Sequence, residues 1–174
     1  MERKLYLSKQ QTKKAQIQII DLIISLAIFF ILLSFIYFSL ENSIQKIKKE
    51  QKLIEAKKTA KNLLENIIYN VGVPTNWALY NELNSTIKSI GCAESYGVLD
   101  EYKIKRLSGV YNQNLTKQLL GLIEFDGDIN ISYINGTNLY YIGNYQQNYI
   151  ITMDEAYATY KNDTIKVLVR IWEK

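Results

Sequence analysis

The residues of this chain able to take part in chemistry cluster near its start, and the chemistry they suit is done to the chain. Lys13-Lys14-Ala15-Gln16 sets two cations, one methyl side chain and an amide in front of a long apolar run. A processing site placed before the apolar segment fits this pattern, and Ala15 leaves room for a peptidase to approach the backbone. Such a cut falls before the apolar segment and leaves it on the mature protein. An ordinary secretory signal loses its apolar stretch at a small-residue site behind it. The chain carries little chemistry of its own. It has no histidine, so His-dependent triads, proton relays and the usual zinc sites are excluded. Cys92 is the single cysteine, forms no intrachain disulfide, and reads as a buried structural thiol. Asp126-Gly-Asp-Ile-Asn130 begins like a calcium loop, but Ile131 stands where that loop needs glycine. We read it as a turn entering a strand. Asp100-Glu101 and Asp154-Glu155 are adjacent pairs whose side chains point apart. No glycine-rich phosphate loop occurs. We expect no enzyme, no cofactor and no metal.

The element that positions the Lys-Lys-Ala-Gln site is the apolar run itself. From Ile19 to Leu40 the only charge is Asp21. As a helix this window spans about 33 Å, against a hydrocarbon core of about 30 Å. It is too long for a secretory apolar region and too evenly apolar for a surface helix, so we expect a transmembrane helix. A carboxylate at Asp21 is costly in a membrane helix unless it is paired or reaches the interface, and one reading is a first-turn acid at headgroup depth. Lysines flank both ends of the run, so the positive-inside count is close to a tie. Asn-X-Ser/Thr triplets begin at Asn84, Asn114, Asn130, Asn135 and Asn162, all beyond the run. They are candidate N-glycosylation sites and favour an outside C-terminus. An Asn-rich chain also makes such triplets freely. With the processing site, we expect a cytoplasmic N-terminus and an extracellular remainder.

Charge divides along the chain. Residues 1–70 hold 12 Lys plus Arg against 6 Asp plus Glu, whereas residues 71–174 hold 9 against 11. The basic groups lie in the leader and along a juxtamembrane helix, so no nucleic-acid partner is expected.

From Glu41 to Asn70 there is no Gly or Pro, and Leu40, Ile44, Ile47, Ile54, Ala60, Leu63, Leu64, Ile67 and Ile68 recur near helical spacing. A continuous helix over 16–70 measures about 80 Å. Its stripe reads either as a seam for the head alone or as a contact for both the head and neighbouring subunits. Gly72 and Pro74 supply the stop. Gly72-Val-Pro-Thr-Asn-Trp77 reads as turn chemistry before a large aromatic anchor. A short strand is expected over Ile87–Cys92, with short helices over Leu99–Val110 and Leu115–Leu120. Asp100 caps the first, and Gly121 follows the second. The period then changes to two. Ile129, Ile131 and Tyr133 alternate, Asn135-Gly136 predicts a two-residue hairpin, and Asn138–Ile142 returns. Tyr149–Tyr160 and Thr164–Trp172 form a second pair around Lys161-Asn162-Asp163. The fold class is therefore α+β: a long N-terminal helix, membrane-spanning then amphipathic, and a small head with short helices and an antiparallel sheet of about four strands. The boundaries are 1–15 leader, 16–70 stem and 71–174 head. The tyrosines suit both an adhesive surface and a core, and we expect most of them in the core.

The leader Lys13-Lys14-Ala15 before Gln16, with the apolar helix behind it, resembles the class III signal peptides of archaeal type IV pilin-like proteins. Weaker matches are Gly72–Trp77, Gly97–Ile104 and Leu119–Leu122. The resemblance implies cytoplasmic cleavage between Ala15 and Gln16 by a prepilin-type membrane peptidase. It also implies a pilus-like filament of this and other pilin-like subunits, built with an assembly ATPase and a platform protein. The acidic residue common at the fifth mature position is replaced here by Ile20, with Asp21 one place later. By analogy Asp21 would pair with a neighbour's new N-terminal amine. The alternative function is a single-pass anchored extracellular binding domain that does not polymerise.

Overall fold

The computed structural model describes the backbone of residues 2–143 and 150–174, and the side chains of those residues from Ile19 onward. It is an α+β protein: one long helix, short helices, then a six-stranded, mostly antiparallel sheet. The elements are α1 (Glu2–Tyr69), a 3-10 turn (Trp77–Leu79), β1 (Ala93–Ser95), β2 (Val98–Leu99), α2 (Glu101–Val110), α3 (Asn114–Leu119), β3 (Phe125–Tyr133), β4 (Asn138–Ile142), β5 (Ile150–Tyr160) and β6 (Asp163–Glu173). Two compact units result, 1–50 and 51–174.

The first unit is helix alone. Its apolar side chains from Ile19 to Leu40 are exposed on every side, as in Ile31, Phe35 and Tyr37. A helix apolar all round has no face to hide from water and belongs in an apolar surrounding. Ser34 and Ser43 donate to the carbonyls of Phe30 and Ser39 at 2.8 and 2.9 Å, so these hydroxyls are satisfied within the helix.

The second unit is built on the last turns of α1. Ala56, Ala60, Leu63 and Ile67 recur at spacings of three and four, and all are fully buried. They belong to one core with Ile129 and Ile131 of β3 and with Ile165, Val167, Val169 and Ile171 of β6. In β6 the buried residues alternate, as a strand with one covered face requires. Each such Ile or Val contributes about 1.5–3 kcal/mol of burial. The strand order is β1-β2-β5-β6-β3-β4. β6 pairs antiparallel with β3 from Phe125↔Glu173 to Tyr133↔Ile165, and with β5 from Ile150↔Trp172 to Tyr160↔Asp163.

Two strands beyond the expected four come from Ala93–Leu99, folded about Gly97 (φ +74°). β2 then joins β5 at Val98↔Thr159, the parallel pair of the sheet. The strand expected over Ile87–Cys92 is instead extended chain with one bridge, Val73↔Ser89. Its backbone serves the end of α1: the Cys92 and Ala93 N–H groups donate to the Ile67 and Asn70 carbonyls at 3.3 and 3.1 Å. These carbonyls would otherwise lack partners, since a helix leaves its last four open.

Other expectations are corrected by a residue or two, or in the type of element. α2 begins at Glu101, because the Asp100 carboxylate accepts the Tyr102 and Lys103 N–H groups at 2.7 and 3.1 Å. Leu99 lies in β2. Asp126-Gly127-Asp128 is strand rather than turn, in register with Ile171 and its neighbours. A Cβ on Gly127 would come within 2.7 Å of the Arg170 carbonyl oxygen, so this glycine permits close strand approach. The Asn135-Gly136 hairpin is a longer loop: Gly136 (φ +88°) donates to the Tyr133 carbonyl, and Tyr133 donates to Thr137. Positive φ at Gly136 without a matching Asn135 is the bulged loop and not the two-residue turn. The two-residue turn occurs instead at Lys161-Asn162, where both φ values are positive, 49° and 70°. Tyr149, expected to open β5, lies outside the described residues.

Candidate assembly and processing elements

Lys13, Lys14, Ala15 and Gln16 lie on α1, and their side chains fall outside the described set. Asp21, also on α1, is exposed and has no hydrogen bond or ion pair among the described residues. The helix from Ile19 is long and apolar enough to cross a membrane. It suits a membrane anchor or a signal sequence.

The stripe read along α1 divides into two sides. Leu40, Ile44, Ile47 and Ile54 are spaced by four, three and seven places, and each is more than half exposed. Ile54 and the fully buried Ala56 are two residues apart, about 200° around a helix. The buried side therefore serves the core of the second unit, and Ile54 faces away from it.

The helix ends in a packed joint. Trp77 is fully buried and its indole Nε1 donates to the Gly91 carbonyl at 2.9 Å. Gly72, at φ +83°, takes the Asn70 side-chain oxygen as acceptor at 2.8 Å. A Cβ on Gly72 would lie 2.3 Å from the Trp77 ring. Both the turn and the anchor of the Gly72–Trp77 block are thus explained by one contact. Lys103 is 9% exposed and its ammonium donates to the Val71 and Ala93 carbonyls at 2.9 and 2.8 Å. Cys92 is fully buried beside it, and burial pushes its thiol up to about 12.

Side-chain networks hold the sheet. Asp128 is fully buried and accepts from Arg170 at 2.8 and 3.0 Å and from the Tyr141 hydroxyl at 2.7 Å. Burial, with the carboxylate beside it, raises the Tyr141 hydroxyl above its ordinary value. Glu101 at the head of α2 meets Lys105 at 2.7 Å and Lys161 of the β5–β6 turn at 2.5 Å. Hydrogen bonds from these two ammoniums hold its carboxyl at about 2.

The five Asn-X-Ser/Thr triplets occupy unlike places. Asn84, Asn114, Asn135 and Asn162 are exposed. Asn130 is half-buried in β3 between Tyr141 and Leu168, and the Ser132 of its triplet is 5% exposed. Thr116, in the triplet of Asn114, is buried and donates to the Val110 carbonyl at 2.8 Å. The tyrosines divide between core and surface. Among the described residues from 71 onward, Tyr111 and Tyr160 are buried, Tyr133 and Tyr140 pack half-buried against the core, Tyr80 is half-buried, and Tyr96, Tyr102, Tyr141 and Tyr157 are exposed. Gly91, Lys103, Glu101 and the Asp128–Arg170 pair were missed from sequence. Asp128 alone carried a signal, as an acid at an inner strand position.

No protein-family model matches this chain, nor does any curated protein or any solved structure. The architecture is nonetheless pilin-like: a long apolar N-terminal helix packed, by its last turns, against a C-terminal β-sheet head.

Proposed function

We propose that this chain is a structural subunit of an archaeal type IV pilus-like surface filament, cut after Ala15 and assembled through its N-terminal helix. The observation that carries the reading is α1 itself. One helix is apolar on all sides over Ile19–Leu40 and ends buried in a sheet-based head. Such a surface is covered equally well by lipid or by the helices of other subunits. Lys13 and Lys14 hold the leader at the anionic inner interface until a prepilin-type peptidase removes it. The helix then leaves the bilayer for a bundle of its own kind, driven by an assembly ATPase and a platform protein. Asp21 pairs with the Gln16 amine of a neighbour, which offsets the cost of a carboxylate at membrane depth. The head lies outside the cell and carries glycans at exposed triplets, and its role is structural with no catalysis.

Replacing Ala15 with a bulky residue tests this. The expected result is unprocessed protein and no filaments. Normal filaments built from the unprocessed variant would overturn the reading. A second reading, an anchored binding domain that does not polymerise, draws on the exposed aromatic surface. Tyr96 is 82% exposed and stacks on Tyr69 at 4.5 Å.

A further inference from the structure

β5 is paired along one side with β6, and its other side is an edge treated differently at each end. Near its C-terminal end the Thr159 N–H donates to the Gly97 carbonyl at 2.8 Å, and Val98↔Thr159 joins β5 to β2. At its start the register with β6 shifts between Ile150 and Thr152, a bulge of the kind that turns an edge aside. Between these two features no described strand pairs with the outer side of β5.

The register fixes which backbone groups stand open in that gap. Tyr160↔Asp163 closes the two-residue Lys161-Asn162 turn, so the even-numbered residues of β5 exchange hydrogen bonds with β6. The odd-numbered residues point theirs away from β6, and the Thr159 N–H, turned to β2, has the same phase. Met153, Glu155 and Tyr157 therefore direct their N–H and C=O groups outward. Such a row is a ready template for another strand. Its middle donor is already taken, because the Asp154 carboxylate accepts the Glu155 N–H at 3.0 Å.

The place of Asp154 is as telling as its bond. Its ladder partner is Val169, which is fully buried, so Asp154 stands on the covered face of the sheet with Ala156 and Ala158 to either Val169 or its buried neighbours Val167 and Ile165. It is half-buried there and has no ion pair among the described residues. A carboxylate in that position adds nothing to the core and loses hydration. An inward-pointing charge on an edge strand does have one use: any strand that pairs there must cover it.

We propose that Asp154 guards the β5 edge, keeping residues 153–157 of one copy from pairing with the same segment of a second copy. Two such edges meet antiparallel about a two-fold axis at Glu155, since the open groups lie symmetrically about it. That pairing takes the Glu155 N–H from its carboxylate acceptor. It also sets the two Asp154 side chains on one covered face at a diagonal separation of about 7–8 Å, like charges with no cation between them. The guard acts whether or not the chain polymerises, so it stands apart from the filament reading.

The test compares the full chain in detergent micelles with Asp154→Ala and with Glu82→Ala, which removes an equal charge from an exposed bend. Hydrogen exchange of the β5 amides is followed in dilute and in concentrated protein. Association through α1 leaves these amides unprotected, so their exchange reports edge pairing alone. In Asp154→Ala the Met153, Glu155 and Tyr157 amides are expected to exchange about tenfold more slowly when concentrated than when dilute. The unaltered chain and Glu82→Ala are expected to show no such difference. Urea unfolding of dilute Asp154→Ala supplies a readout that a structural acid would move the other way: its midpoint should be unchanged or raised. Concentration-independent exchange in Asp154→Ala would overturn the proposal. Equal slowing in Glu82→Ala or in the unaltered chain would overturn it too, as would a lowered unfolding midpoint.

Discussion

At Gly91 an added Cβ would lie 1.8 Å from the Asn70 carbonyl oxygen, so the chain can pass the end of α1 only as glycine. Gly91→Ala must displace backbone that also accepts the Trp77 indole. Overpacking of this kind costs about 1–3 kcal/mol and more where backbone cannot yield. We expect denaturant unfolding of the variant at clearly lower concentration, whereas Gly109→Ala, in open space on α2, should raise stability by about 0.5–1 kcal/mol. Asp128 makes a second prediction. Removing Arg170 leaves a fully buried carboxylate without its cation, and such losses cost about 3–5 kcal/mol. Tyr141→Phe removes one hydrogen bond and should cost about 1 kcal/mol. A ranking in the reverse order would contradict the network. Cys92, its thiol raised from 9.0 to about 12 mainly by burial, should resist thiol reagents at pH 8 and react on unfolding. Because the folded value is the higher one, its contribution is full below pH 9.0 and is lost as pH rises toward about 12.

At the scale of elements, α2 is joined to the β5–β6 turn through Glu101, Lys105 and Lys161. The Glu101 carboxyl is lowered from 4.5 to about 2, so its contribution is present above pH 4.5 and lost as pH falls toward about 2. Glu101→Gln should flatten the stability profile across that window, measured by urea unfolding from pH 5 down to pH 2.5. The exposed site makes the effect small. The elements themselves differ in how far the sequence reveals them. α1, α2, α3 and the β3–β4 and β5–β6 pairs follow from period, caps and turn residues, all local signals. β1 and β2 are three and two residues long, and β2 joins the sheet through a partner far along the chain, Thr159, which no local period reports. The strand character of Asp126–Asp128 was hidden for a similar reason. Two acids and a glycine favour a turn locally, and pairing with Arg170 and Ile171 overrides that preference. The tyrosines divide between core (Tyr111, Tyr160, with Tyr133 and Tyr140 against it) and surface, and amphipathic rings carry no periodic signature that tells the two apart.

For the whole molecule, the triplets offer a test of which surface faces outward. Asn84, Asn135 and Asn162 sit on exposed turns, whereas Asn130 is inside the sheet. Replacing Asn84, Asn135 or Asn162 with Gln should remove one glycan's mass each, and Asn130→Gln should remove none. A glycan found at Asn130 would contradict the fold. The central claim is that the apolar helix is retained on a processed subunit destined for a polymer. The most direct measurement is the N-terminal residue and intact mass of the protein from native membranes. The account predicts Gln16 at the N-terminus with residues 1–15 missing. Protein that retains Met1 or Glu2, in membranes where filaments form, would contradict it.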